Sequence, residues 1–312
     1  MTALICGSMA YDTIMVFNDK FKNHILPEKV HILNVSFLVP ELRREYGGCA
    51  GNIAYNLKCL GGQGAPMATV GKDFQPYAQW MQQCGVDARY IKVIDSEYTA
   101  QAYITTDMDD NQITAFHPGA MMHAHANKVS DAENISIGII APDGKDGMVQ
   151  HAQQFADANI PFIFDPGQGL PMYNGEELLD FVDKATWVAL NDYEAQLLQE
   201  RIGQGLDQLA TKVKAIFVTK GGEGSEIYTT DGKIEIPVAK ANGVVDPTGC
   251  GDAYRAGLLH GLMNDMDLET TARIASVLGA LKIAENGSQN HQFDASSFLD
   301  RFKESYGYTV SL

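Results

Sequence analysis

From residue 135 onward the chain repeats one unit, and that repetition limits the fold more than any other feature. Apolar runs at 137–141, 161–165, 187–190 and 215–219 alternate with helical segments at 146–158, 176–183, 192–200 and 206–213. Each apolar run is short enough for a buried strand, and the connections are brief. Strands and helices in strict alternation predict a parallel, doubly wound sheet with helices on its faces. Three of the runs end in polar residues, Asp165, Asn191 and Thr219. Ligands in such sheets bind outside the carboxyl ends of the strands, so these tips mark the expected ligand edge.

The first half extends the same sheet and adds a second one. Residues 3–9 read as a buried strand ending in glycine and serine, with Asp12 just beyond it. Asp12 is placed to meet a ligand, though taken alone an Asx turn accounts for it better. Residues 14–46 are irregular, with short strands suggested around Ile14, Val16 and Phe17 and around Val30, Ile32 and Val35. A strand at 65–70 and a helix at 74–84 closed by Gly85 follow. Further strands are expected at 90–94, 100–105 and 113–116, the last two joined as a hairpin by Asp107-Met108-Asp109-Asp110-Asn111. Hairpins inside a βαβ pattern suggest a small sheet standing off the main body, a lid built from about 14–46 and 97–117. Strands at 225–230 and 234–237 precede helices at 253–263, 268–285 and 296–306. Gly257 and Gly261 are expected to let the first of these helices pack closely on the sheet. With no repeat or linker, the reading is one α/β domain, 1–312, with a β-sheet lid.

Bulk properties exclude some functions. The 312 residues carry 39 acidic and 23 basic side chains, a net charge of −16. A general nucleic-acid binder needs a basic footprint, and anionic membranes are disfavoured for the same reason. No run of about eighteen apolar residues offers a membrane span. Five cysteines, irregularly spaced and without a CxxC, argue against a disulfide framework or zinc site. With no secretory leader visible at Met1, a cytoplasmic location is expected.

The stretch Asp246-Pro247-Thr248-Gly249-Cys250-Gly251-Asp252 carries the most chemistry. A glycine-rich turn opening into a helix presents free N–H groups at the positive end of the helix dipole, an anion site suited to phosphate. An acidic side chain is a poor phosphate ligand. Asp252 therefore suggests a base facing a hydroxyl while the amides beside it hold a phosphoryl group. Helix capping by aspartate accounts for the same pattern. Gly47-Gly48-Cys49-Ala50-Gly51-Asn52 is a second glycine-rich helix start, where Asn52 offers an amide to ligand hydroxyls. Asn191 and Glu194 are suited either to hold a hydrated Mg²⁺ or simply to start a helix. The loop Thr219-Lys220-Gly221-Gly222-Glu223-Gly224 joins strand to strand, so it is not a Walker A loop.

These four motifs, in this order and nearly spanning the chain, resemble those of the ribokinase-like family of sugar and nucleoside kinases, often called the PfkB family. The resemblance implies that Asp252 takes the proton from the acceptor hydroxyl and that the amides of Gly249, Cys250 and Gly251 form an anion hole. It implies that Asn191 and Glu194 organise Mg²⁺ through water, and that Thr219, Gly221, Gly224, Asn191 and Asn286 serve ATP. Asp12, Gly47, Gly48 and Asn52 would hold sugar hydroxyls. ATP and Mg²⁺ are the implied cofactors, with K⁺ a candidate monovalent cation, and the chain is expected as a monomer or homodimer.

Within the family the chain looks most like the bacterial adenosine and nucleoside kinase branch, on residues 246–255 and on Phe116-His117-Pro118-Gly119-Ala120-Met121. A nucleoside needs a slot for its base, and Gln101, Tyr103, Phe116 and Met121 are the candidates from the lid side. The expected reaction is ATP-dependent phosphorylation of the 5′-hydroxyl of adenosine. The rivals are a broader nucleoside kinase or ribokinase-type sugar kinase, and a catalytically silent nucleotide-binding sensor. Cys250 stands where the family usually has alanine, and a thiol at a helix N-terminus is expected to have a lowered pKa and to be open to oxidation or alkylation.

Overall fold

The computed structural model describes residues 1–25, 32, 34–109 and 111–312, and among these residues two sheets form. The chain opens with β1 (Thr2–Cys6) and leaves the main body as β2 (Ala10–Val16) and β3 (Glu41–Gly47). It returns as α1 (Cys49–Cys59), β4 (Gly64–Gly71), α2 (Gln75–Cys84) and β5 (Tyr90–Ile94), then leaves again as the hairpin β6 (Ala100–Thr106) and β7 (Gln112–His117). The expected alternation follows as β8 (Ile135–Ile140), α3 (Lys145–Asp157), β9 (Phe162–Phe164), α4 (Gly175–Lys184), β10 (Trp187–Asn191), α5 (Asp192–Ile202), the short α6 (Leu206–Leu209) and β11 (Ala215–Thr219). The chain ends with β12 (Ser225–Thr229), β13 (Gly232–Ile236), α7 (Cys250–Met263), α8 (Leu268–Lys282) and α9 (Ala295–Tyr306).

The main sheet runs β13-β12-β11-β10-β9-β8-β1-β4-β5. From β11 to β5 its neighbours are parallel, and β12 and β13 add an antiparallel edge. Side chains alternate across a strand, so both faces of β1 are buried by different helices. Ala3 and Ile5 pack with α1, α7 and α8, while Leu4 and Cys6 pack with α3 and α4. The order reverses at β1: the chain first builds outward through β4 and β5, then through β8 to β11. The crevice at the carboxyl ends of β1 and β8 is therefore the topological switch point, where this class of fold binds its ligands.

The small sheet has the order β3-β2-β6-β7 and overlaps the two expected lid segments. Val30 of one expected strand and the hairpin residue Asp110 lie outside the described residues, while Ile32 and Val35, described, are not in a strand. The turn itself is organised by Asp107, whose carboxylate accepts from the N–H groups of Asp109, Asn111 and Phe21, each at 2.9 Å. Among the described residues no helix is long and apolar enough to cross a membrane.

Three local readings need correction. The helix expected over 206–213 stops at Leu209, because the Thr211 hydroxyl donates back to the Gln208 carbonyl at 2.7 Å and draws the chain into turns. α8 ends at Lys282 rather than near residue 285. Its next carbonyl, on Ile283, accepts from the N–H of Val245 at 2.8 Å, and that contact requires the chain to leave the helix. Gly257 and Gly261 face α8, not the sheet. A Cβ on Gly257 would lie 2.3 Å from Ala275 Cα, and one on Gly261 would lie 2.4 Å from Thr271 Oγ1. Gly257→Ala is expected to cost about 1–3 kcal/mol through overpacking. Gly243→Ala, where a Cβ meets nothing within 4 Å, should change little. Urea unfolding of both variants checks this, and equal midpoints would show that α7 and α8 are free to separate.

Candidate active site

α7 begins at a residue that only glycine occupies comfortably. Gly249 has φ 78°, and a Cβ there would lie 2.6 Å from Ser288 Cβ. The turn before it is tied down by Asp246, whose two carboxylate oxygens accept from Thr248 N and Gly287 N at 2.9 Å each. The first turn of α7 then points its amides into the crevice. The Cys250 N–H donates to the Pro247 carbonyl at 3.1 Å, so of the three expected anion-hole amides it is already engaged. Gly249 and Gly251, joined by Asp252 itself, have no backbone acceptor among the described residues.

Asp252 follows on the inner side of α7 and is half-buried. Burial raises its carboxyl to a pKa of about 6, opposed by a hydrogen bond from Asn52 and reinforced by the charge of Asp165. Asn52 Nδ2 donates to Asp252 Oδ2 at 2.8 Å. Asn52 is expected on sugar hydroxyls; it lines the cavity, but its amide is also what holds the carboxylate of Asp252. Behind it, Gln289 Nε2 donates to Asn52 Oδ1 at 2.9 Å and to Tyr77 Oη at 2.6 Å, and Trp80 Nε1 donates to Gln289 Oε1 at 2.9 Å.

One turn further along α7, Arg255 is buried against Asp165 at the tip of β9, with Nη2 3.0 Å from Oδ1. The same nitrogen lies 3.8 Å from Glu194 Oε2. Asn191 and Glu194 form the capping box of α5: Asn191 N and Nδ2 donate to Glu194 Oε2 and Oε1 at 2.8 and 2.9 Å, and Glu194 N donates to Asn191 Oδ1 at 2.7 Å. Burial and the charge of Asp165 raise the Glu194 carboxyl above its usual range.

A cavity of about 510 Å³ opens at the switch point. Asp12, Gly48, Asn52, Gly249 and Asp252 line one end. Burial, then the charges of Glu45 and Asp246, raise Asp12 to a pKa of about 6. Gly47 lies behind the cavity and makes room for Asp12, since a Cβ on it would be 2.4 Å from Asp12 Oδ2. Ala102, Ile104, Thr114 and Phe116 of the small sheet and Met121 line the apolar side. Gln101 and Tyr103 do not join them. Ala102 pairs with Phe116 across the hairpin, so the odd-numbered residues of β6 occupy the opposite face. There Gln101 Nε2 donates to Thr13 Oγ1 at 2.6 Å.

Pro142, Asp143, Gln168 and Met172 also line it, and none of them stands out in the sequence as a site residue. Asp143 and Gln168 lie in the segments that leave the carboxyl ends of β8 and β9, so the strand-tip rule contains the signal for both. Asp143 is 3% exposed, and burial raises its carboxyl to a pKa of about 8.

The other expected nucleotide residues gather outside this cavity. Thr219 is the register neighbour of Asn191, and its hydroxyl donates to the Leu190 carbonyl at 3.3 Å. Gly221 and Gly224, with φ 54° and 93°, shape the loop from β11 to β12. Asn286 is exposed in the turn after α8, and its carbonyl accepts from Asn290 Nδ2 at 2.9 Å.

Cys250 differs from expectation. Burial pushes its thiol up to about 11; Lys282 pulls it down, and Asp246 and Asp252 oppose that pull. The helix dipole does not produce a thiolate here, because the side chain points back toward the Asp246 carbonyl, 3.9 Å away, and into the protein. Iodoacetamide at pH 7.5 should therefore label Cys250 far more slowly than a free cysteine peptide. Peptide mapping by mass spectrometry reads this directly, and labelling at the peptide's rate would overturn the burial argument.

The pfkB family carbohydrate kinase profile matches residues 12–294. The nucleoside kinase of Methanocaldococcus jannaschii is 35% identical over 266 residues, covering 85% of this chain and 87% of that protein. The nucleoside kinase of Burkholderia thailandensis in complex with inosine superposes with a TM-score of 0.90 at 49% identity, covering 98% of this chain and 99% of that one. The same enzyme in complex with ADP-inosine gives 0.87 at 50% identity, covering 98% and 97%. The fold is the ribokinase-like α/β fold, with a mostly parallel central sheet and a second, small sheet.

Proposed function

The chain belongs to the pfkB family of carbohydrate kinases, and from that premise we propose that it transfers the γ-phosphoryl group of ATP to the 5′-hydroxyl of nucleosides, adenosine among them. One observation carries this reading. A single cavity of nucleoside size sets Asp12, Asn52 and Asp252 at one end and Ile104, Phe116 and Met121 along its apolar side. A ribose fits the polar end and a base the apolar side. The inosine held by the Burkholderia thailandensis enzyme favours a range of nucleosides over adenosine alone.

The chemistry follows from the residues present. Asp252, ionised above its pKa of about 6, accepts the proton of the acceptor hydroxyl as the oxygen attacks. The amides of Gly249 and Gly251 at the positive end of α7 stabilise the charge on the phosphoryl group being transferred. Mg²⁺ bound with ATP supplies neutralisation of phosphate charge. Asn191 and Glu194 fit such an ion through its waters. Each Glu194 oxygen accepts one bond from Asn191 and keeps acceptor capacity, and a buried carboxylate pushed toward neutrality gains from a nearby cation.

A panel of adenosine, inosine, cytidine, ribose and fructose with ATP and Mg²⁺ tests the proposal. Nucleosides are expected to be turned over in preference to both free sugars, and a sugar preference would sink it. Asp252→Asn should lower kcat by about 10²–10⁴-fold with nucleoside binding retained; normal turnover would remove the assigned base.

The pH dependence has a definite sign. Activity should fall as pH drops through about 6, where Asp252 becomes protonated. Asn52→Ala removes the hydrogen bond that favours the charged form, so the acid limb of kcat/KM should move to higher pH. A limb that stays in place or moves down would mean that Asn52 does not set the ionisation of Asp252.

A further inference from the structure

Lys282, the last residue of α8, has 0% exposure. Lysine is almost never fully buried unless it is paired. Among the described residues no carboxylate lies within salt-bridge distance of its ammonium. Instead Nζ donates to two main-chain carbonyls, Asp246 O at 2.6 Å and Glu285 O at 3.1 Å. Asp246 opens the turn that leads into α7, and its carboxylate is already committed to Thr248 N and Gly287 N. Its own N–H reaches Ile283 O at 3.2 Å. The peptide on which the phosphate-facing turn hangs is thus anchored through its N–H, its side chain and its carbonyl, and the carbonyl anchor is a cation.

We infer that Lys282 is a positioning residue whose ammonium acts as a tethered cation beneath the 246–249 turn, in the place that a free monovalent cation would otherwise have to fill. The inference rests on the kinase reading of that turn. Carbonyl oxygens gathered around one compact positive charge are the donor set that also suits K⁺. Covalent attachment to α8 keeps that charge in place at any salt composition. The charge lies close enough to α7 to act on its first residue, since Lys282 is what pulls the buried Cys250 thiol downward. It therefore adds to the positive field that the α7 amides present to a phosphoryl group. Burial lowers the pKa of Lys282, and the Asp246 carboxylate opposes that loss.

The decisive measurement uses the unaltered protein. With K⁺ replaced by tetramethylammonium at constant ionic strength, turnover of whichever acceptor it phosphorylates should stay within about twofold, whereas a fall of about tenfold or more overturns the assignment. Lys282→Met should lose about 10–100-fold in kcat with little change in acceptor KM, because the turn shifts while the acceptor cavity remains. K⁺ or ammonium should restore much of that loss and tetramethylammonium none. Undiminished kcat in Lys282→Met without K⁺ also overturns it. Thermal unfolding gives a readout independent of turnover: K⁺ should raise the Tm of Lys282→Met and leave that of the parent unchanged, and no differential effect counts against the proposal. If no nucleoside is phosphorylated, the functional reading fails while the melting comparison still decides the role of Lys282. Should Lys282→Met not fold even in K⁺, the cation comparison on the unaltered protein decides alone.

Discussion

The hydrogen bond from Asn52 to Asp252 joins the starts of two helices 200 residues apart, and the chemistry of the crevice depends on its direction. A carboxylate drawn into the protein tends to become protonated, and a protonated Asp252 cannot accept a proton from a substrate. Asn52 offsets part of that tendency only if its NH₂ group, not its carbonyl, faces the acid. An indole N–H can only donate, so Trp80 turns the Gln289 oxygen toward itself. The Gln289 NH₂ group must then face the Asn52 oxygen, which leaves the Asn52 NH₂ group for Asp252. The hydrogen bond that favours the charged form of Asp252, the proposed base, thus rests on a polarity relay that begins at a tryptophan on α2.

Arg255 gives the same helix its second anchor. Its guanidinium is buried between Asp165 and Glu194, which close the tips of β9 and β10. Removing one partner of such a buried pair typically costs about 3–5 kcal/mol, because the other charge is left without compensation. The pair therefore locks α7 to the strand tips, while Asn52 and Lys282 hold its N-terminus from α1 and α8. The first turns of α7 are thus fixed from the strand tips, α1 and α8 to hydrogen-bond precision, which is what the proposed phosphoryl transfer by positioned groups would require.

Much of the architecture is legible in the sequence itself. The alternation after residue 135 is local in sequence, and both faces of each strand are buried, so the apolar runs stand out. The two glycine-rich helix starts are legible because Gly48 and Gly249 need positive φ. Side and depth are not legible in this way. By residue type Gln101 and Tyr103 are as suitable for a base as Phe116, yet only the hairpin register decides which residues of β6 share its face. The helix-terminus argument for Cys250 leaves out the direction of its side chain. The double duty of Asn52 and the role of Lys282 rest on partners 200 and 36 residues away, and such pairings leave no local pattern.

The cavity's asymmetry bears on which acceptor suits it. Where β6 and β7 line it, the cavity is apolar apart from Thr114, with Asp12 on β2 at the polar end, and Phe116 is 53% exposed. A free pentose would satisfy Asp12 and Asn52 but leave this face against water or against unmatched hydroxyls. A nucleoside base covers it. Burying the remaining exposed face of a phenylalanine and the aliphatic lid residues is worth about 25 cal/mol per Å², favourable only when an apolar surface arrives to meet them. That term is absent for a sugar and present for a nucleoside. On the proposed reading the lid would discriminate by rewarding a base, while the polar end, common to both acceptors, would supply the orientation that brings the hydroxyl to Asp252.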